Sequence, residues 1–270
     1  MNGFVQNRAV RETLQQLSYL FLQPEELIIG NGSQIGSGGY GEVLLAKLRR
    51  GDEAELDVAV KCVWAVGTRG DRERFAMVSS ALPPFSTYYS RHAPHFQRFA
   101  RELKVWATVK HLNVLPLLGF YLSDSCEIAQ LVSPFKAHGN VVEYIKRTGA
   151  GLDKRLKFVQ DITAGLGFLH NHNPPVCHGD LKPTNVLVTD GFDAVLCDFG
   201  LASFANDASA VPSGLTTSRS IKGSTRYMGP ELLLENETKH TLRSDVWAWA
   251  CTTFEVGSSS NVVSAQLLIL

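Results

Sequence analysis

His178-Gly179-Asp180-Leu181-Lys182-Pro183-Thr184-Asn185, then Val186-Leu187-Val188 and, further on, Cys197-Asp198-Phe199-Gly200, is the stretch on which the reading of the whole chain turns. An aspartate and an asparagine on one polar loop, with a second aspartate beyond a short apolar run, offer hard oxygen donors of the kind that suit Mg2+. A purely structural loop also uses Asp and Asn as turn formers, but it does not call for two linked motifs.

Upstream, Ile35-Gly36-Ser37-Gly38-Gly39-Tyr40-Gly41-Glu42-Val43 places a glycine run between two apolar segments. Without Cβ atoms, Gly36, Gly38 and Gly41 let backbone N–H groups approach phosphate oxygens. Alone, the run also fits a plain hairpin turn or a dinucleotide-binding loop. The latter needs a helix to start inside the glycines, whereas Val43-Leu44-Leu45-Ala46 continues as a strand, and no G-K-[ST] follows. Val58-Ala59-Val60-Lys61 ends an apolar strand on a lysine. In Arg98 to Trp106 the apolar positions bury one helical face and Glu102 lies on that helix. Taken singly, each of these charges reads as a solvated side chain.

Together with Gly223-Ser224-Thr225-Arg226-Tyr227-Met228-Gly229-Pro230-Glu231 and Ser244-Asp245-Val246-Trp247-Ala248-Trp249-Ala250, these segments resemble the eukaryotic protein kinase catalytic domain. The motifs stand in that family's order over about residues 27 to 256, and their wording is similar to the tyrosine-kinase-like group of serine/threonine kinases. The resemblance implies an α+β, two-lobed fold: a five-strand antiparallel-sheet N-lobe with one helix, and a helical C-lobe lacking its last helices. It implies ATP and Mg2+ as cofactors and a protein substrate as partner. Ile35, Gly36, Gly38, Gly41 and Val43 would cover the nucleotide in the cleft, Ala59 and Leu187 sandwich adenine, and Lys61, oriented by Glu102, reach the α- and β-phosphates. Asp180 would take or orient the substrate hydroxyl proton, Lys182 place charge near the γ-phosphoryl group, and Asn185 and Asp198 hold the metal. His178, Phe199, Trp106 and Leu117 match the family's stacked column, Ser133 matches the position behind adenine, and Asp245 matches the aspartate beneath the catalytic loop.

Two other classes stay open. H-G-D-L also occurs in phosphotransferases of the aminoglycoside and choline kinase type, which lack the Gly223 to Glu231 element. A catalytically silent pseudokinase, acting as a nucleotide- or protein-binding module, would share the fold. Departures from the family pattern are Gly179 for the usual arginine, which removes the common basic receiver of loop phosphate, and Gly229 for alanine. After Glu255 the run Gly257-Ser258-Ser259-Ser260-Asn261 breaks the helical pattern where the resemblance implies about three more helices. An exposed apolar face, open to association with another surface, is the expectation there.

The 270 residues are 44% apolar, and 26 basic side chains cancel 26 acidic ones, so charge points to neither nucleic acid nor an anionic membrane. Five scattered cysteines without C-x-x-C spacing, and no apolar run near the roughly 18 residues a span requires, predict a cytoplasmic chain. The expected organisation is an N-terminal helical extension over 1–23, a kinase domain over 24–256 (N-lobe about 24–133, C-lobe about 140–256) and a divergent tail over 257–270. Val10, Leu14, Leu17 and Phe21 predict one helix in the extension. Thr68 to Pro94 reads as a surface insertion and Leu115 to Leu122 as a strand.

Overall fold

A computed structural model describes residues 8–38, 41–51, 54–64, 85–123, 128–205, 225–234 and 239–258. The chain separates into two compact units, Met1–Lys104 with Leu117–Ser133, and Val105–Pro116 with Pro134–Leu270.

The first unit is built on an antiparallel sheet. Strands β1 (Leu27–Gly38), β2 (Gly41–Leu48), β3 (Leu56–Trp64), β4 (Gly119–Leu122) and β5 (Ile128–Pro134) lie in the order β1-β2-β3-β5-β4. Alternation sets the buried face: Ala46 and Leu48 on β2 and Val58, Val60 and Cys62 on β3 point inward, joined by Val132 and Leu22. Helix α1 (Arg8–Gln16) precedes the sheet, and α2 (Phe85–Thr108) buries Phe99, Ala100 and Leu103 at helical spacing.

Three expectations need correcting here. The first helix stops at Gln16; Ser18–Leu20 tightens into a 3-10 turn, and Phe21 leaves the helix to bridge Phe120, because pairing with the sheet satisfies its backbone and buries Leu22. Helix α2 starts at Phe85, inside the segment read as an insertion. Once the strongly periodic Phe99 to Trp106 end is nucleated, extension by further turns is easy even without an apolar stripe. The rest of that insertion, 68–84, lies outside the described residues. Strand β4 begins only at Gly119, since Leu115 N–H is already spent on the Leu196 carbonyl at 2.9 Å.

The second unit is mainly helical. Helix α3 (Val141–Thr148) opens on a capping box in which Glu143 N–H donates to Asn140 Oδ1 at 3.0 Å, and it closes at Gly149 in the left-handed region. Helix α4 (Leu152–Asn171) buries Phe158, Ile162, Leu166 and Leu169. Short antiparallel pairs follow: β6 (Val176–Cys177) with β9 (Ser203–Phe204), and β7 (Val186–Val188) with β8 (Ala194–Leu196). Helices α5 (Pro230–Leu234) and α6 (Leu242–Gly257) come last, α6 capped by Thr241. It is tied to α4 by Trp249 Nε1–H donating to Thr163 Oγ1 at 3.0 Å and Arg155 donating to the Ser258 carbonyl at 2.9 Å. Its outward face exposes Val246, Trp247 and Phe254. No described helix is long and apolar enough to cross a membrane.

Candidate active site

In the first unit the glycine run forms the turn end of the β1–β2 hairpin. Gly36 pairs with Val43, Ser37 with Glu42 and Gly38 with Gly41, and the register is irregular between Gln34 and Gly36. Gly39 and Tyr40 lie outside the described residues. Ile35 is exposed, while Val43 and Ala59 are half-buried. On β3, Lys61 stands directly opposite Val43. Its Nζ meets Glu102 Oε1 of α2 at 2.6 Å, with only 14% and 1% of the two side chains exposed. At that burial, breaking the pair by removing one member would leave an uncompensated charge.

In the second unit the loop after β6 carries the other group. Lys182 Nζ donates to Asp180 Oδ2 at 2.7 Å, and Asn185 Nδ2 donates both to that oxygen (3.1 Å) and to the Asp180 carbonyl (2.8 Å). Both Asn185 contacts use the amide nitrogen, so its side-chain oxygen is the atom it has to offer a cation. The Cys197 N–H donates to the Asn185 carbonyl at 3.0 Å, and the β7–β8 pairing of Val186 with Leu196 closes the loop between them. This puts Asp198 next to Asn185 along the backbone. Asp198 itself adopts φ +64°, a left-handed conformation that costs a non-glycine residue about 1–3 kcal/mol and is held only where the surroundings impose it. Leu187 is half-buried on β7. Two hard oxygen donors, an amide and a carboxylate, fit a magnesium ion that completes its shell with water and phosphate oxygens.

The loop rests on a buried carboxylate. Asp245, on the first turn of α6, accepts from His178 N–H at 2.7 Å, Gly179 N–H at 2.9 Å and His170 Nε2 at 3.0 Å. Burial alone would raise its pKa. The His170 hydrogen bond and the two backbone N–H groups outweigh that and hold it below 3.8. His178 links the loop to Asp198's neighbour: Nδ1 accepts from Asp180 N–H and Nε2 reaches the Cys197 carbonyl at 3.1 Å, so Nε2 carries the proton. Phe199 stacks between His178 and Trp106, with ring centroids at 5.3 and 5.7 Å.

A family model described as the protein kinase domain matches residues 29–267. The chain belongs to the protein kinase family. This kinase domain is similar to serine/threonine-protein kinase CTR1 of Arabidopsis thaliana, at 28% identity over 62% of the chain and 20% of that protein. It is also similar to brassinosteroid LRR receptor kinase BRL3 of Oryza sativa subsp. japonica, at 31% over 82% of the chain and 16% of that protein. Calmodulin-binding receptor-like cytoplasmic kinase 2 of Arabidopsis thaliana shows 28% over 83% of the chain and 48% of that protein. The chain thus spans about a fifth of the length of the first of these relatives. The serine/threonine-protein kinase among them agrees with the likeness to the tyrosine-kinase-like group read from the motifs.

Of the residues singled out from the kinase motifs, the structure joins Lys61 with Glu102 in one unit, and Asp180, Lys182 and Asn185 in the other. Of the expected column, Leu117 belongs to the first unit, and Trp106, Phe199 and His178 belong to the second. Sequence reasoning missed His170, whose only signal is its place at the end of α4's apolar pattern. It also missed the bridge from Phe21 to Phe120 and the burial of Leu22.

Proposed function

We propose that this kinase domain transfers the γ-phosphoryl group of ATP to serine or threonine hydroxyls of a protein substrate. The observation that carries the reading is the buried Asp180 carboxylate clasped by Lys182 and Asn185. A solvated turn has no use for an ammonium, an amide and a carboxylate converged on one oxygen. In this reading Lys61, oriented by Glu102, takes the α- and β-phosphate oxygens, under backbone N–H groups of Gly36, Gly38 and Gly41, while Ile35, Val43, Ala59 and Leu187 supply apolar surface for adenine. Asp180 orients the substrate hydroxyl and receives its proton as the new P–O bond forms and the bond to the β–γ bridging oxygen breaks, releasing ADP. Lys182 offsets charge on the transferring group. Asn185 and Asp198 would hold Mg2+, which neutralises phosphate charge. A protein substrate and a cytoplasmic setting belong to the same proposal.

The test compares phosphate transfer by wild type and Asp180→Asn, with MgATP binding measured on both. The expected result is retained binding with transfer reduced by about 10²–10⁴-fold, the range for removing a positioned acid–base group. Equal transfer by the variant sinks the mechanism. Binding by wild type without any transfer favours the pseudokinase reading, and transfer to choline or an aminoglycoside in place of protein favours the small-molecule enzyme.

A further inference from the structure

The residues just ahead of the family match at 29 are built into the first unit's sheet. Phe21 forms a parallel bridge with Phe120 on the edge strand β4, and Leu22 N–H donates to the Phe120 carbonyl at 2.8 Å. Leu22 is 1% exposed and belongs to the core cluster with Ala46, Leu48, Val58, Val60 and Val132. The edge strand is shaped to receive it. A Cβ at Gly119 would lie 2.7 Å from both the Leu20 carbonyl oxygen and Leu22 Cγ, so only glycine admits the strap so close.

From this strap an aromatic chain leads to the helix bearing Glu102. The Phe21 ring sits edge-on to Phe120 with centroids 5.5 Å apart, and Phe120 sits edge-on to Phe99 of α2 at 6.1 Å. Phe120 and Phe99 are both fully enclosed. Phe99 and Glu102 are neighbours on one helical face, and Leu103, beside them, is also buried. Packed aromatic rings are not continuously deformable, so moving Phe21 must shift Phe120, Phe99 and the face that presents Glu102 to Lys61.

We propose that Phe21 is a positioning residue: the strap Ser18 to Gln23, docked on β4, sets the pose of α2 and through it the Lys61–Glu102 pair. The proposal rests on the reading of that pair as the nucleotide-phosphate anchor. Release of the strap would therefore loosen the anchor without touching nucleotide.

The experiment uses the full chain and three substitutions: Phe21→Ala, Phe21→Leu and, as a control on the exposed side of the strap, Tyr19→Ala. Two readouts are taken, amide hydrogen exchange over Phe99 to Trp106 without nucleotide, and the MgATP dissociation constant. Phe21→Ala is expected to speed exchange in that segment and weaken MgATP binding about five- to tenfold, the size of a modest coupling between sites. Phe21→Leu, which keeps apolar bulk but loses the ring, is expected to show smaller changes of the same sign in both, and Tyr19→Ala changes neither. In a Glu102→Ala background, Phe21→Ala should weaken MgATP binding no further, because the strap acts through that carboxylate.

Additive losses in the double variant overturn the proposal. So does a lower melting temperature for Phe21→Ala with α2 exchange and MgATP affinity at wild-type values. Should Phe21→Ala fail to fold, Phe21→Leu is read on the same two measurements, and wild-type values in both overturn the idea. If wild type binds no MgATP, the proposed function falls, while the exchange data still decide whether the strap holds α2.

Discussion

Gly179 stands where the family usually places arginine, and its backbone explains why glycine is comfortable there. It has φ +77°, and a Cβ would meet the Leu201 carbonyl oxygen at 2.9 Å. Gly179→Ala is expected to cost about 1–3 kcal/mol in urea denaturation, the penalty for forcing a side chain into the left-handed region. An unchanged midpoint would show that the loop relaxes freely. Cys62, enclosed beneath the sheet, gives a pH prediction. Burial pushes its thiol up from 9.0 to about 11, with Gln130 lowering it and Glu42 raising it by smaller amounts. The unfolded thiol ionises first, so stability is fully kept below pH 9.0 and falls as pH climbs towards about 11. The loss is on the order of 2–3 kcal/mol, and Cys62→Ala should flatten that part of the stability–pH curve. As candidates for the proposed site, Asp180, Asn185, Asp198 and Lys61 were all readable from motif spacing. The His170–Asp245 hydrogen bond was not, because α4 and α6 lie far apart in the chain and only packing brings their ends together.

Helix α6 does more than fill space. Its first turn carries Asp245, and Thr241 caps it so that the carboxylate is presented to the His178 and Gly179 N–H groups. An asparagine side chain in its place could accept from only one of these and would point an N–H at the other. Asp245→Asn is therefore expected to destabilise the domain by about 1.5–3 kcal/mol, as for lost hydrogen bonds to a charged group. Transfer should fall more than MgATP affinity does, since the anchor on β3 is untouched. Equal transfer would show that the loop holds its shape unaided. Because the folded pKa of Asp245 lies below 3.8, its contribution persists above that pH and is lost as pH falls through the folded value. The elements themselves were largely visible in the sequence where periodicity is strong, as in α4 and β3. The misjudged ends, at Gln16, Phe85 and Gly119, are places where tertiary pairing or helix propagation overrode the local pattern.

For the molecule as a whole, two units each hold part of the proposed machinery: the Lys61–Glu102 pair in one, the Asp180–Lys182–Asn185 group in the other. A ligand that binds only the folded chain stabilises it by about 2.7 kcal/mol at a hundred times its dissociation constant. MgATP should thus raise the melting temperature by several degrees in wild type, and Lys61→Met should remove most of the rise. No shift at saturating MgATP would refute nucleotide binding. The ordered motifs settled the family and pointed to the residues proposed to react, because each motif is a short run whose spacing survives in the chain itself. The buried cradle of Asp245, the stack of Trp106, Phe199 and His178, and the strap of Phe21 and Leu22 were decided only on folding. They join residues distant in sequence, and burial of apolar surface, which has no direction along the chain, is what selects such partners.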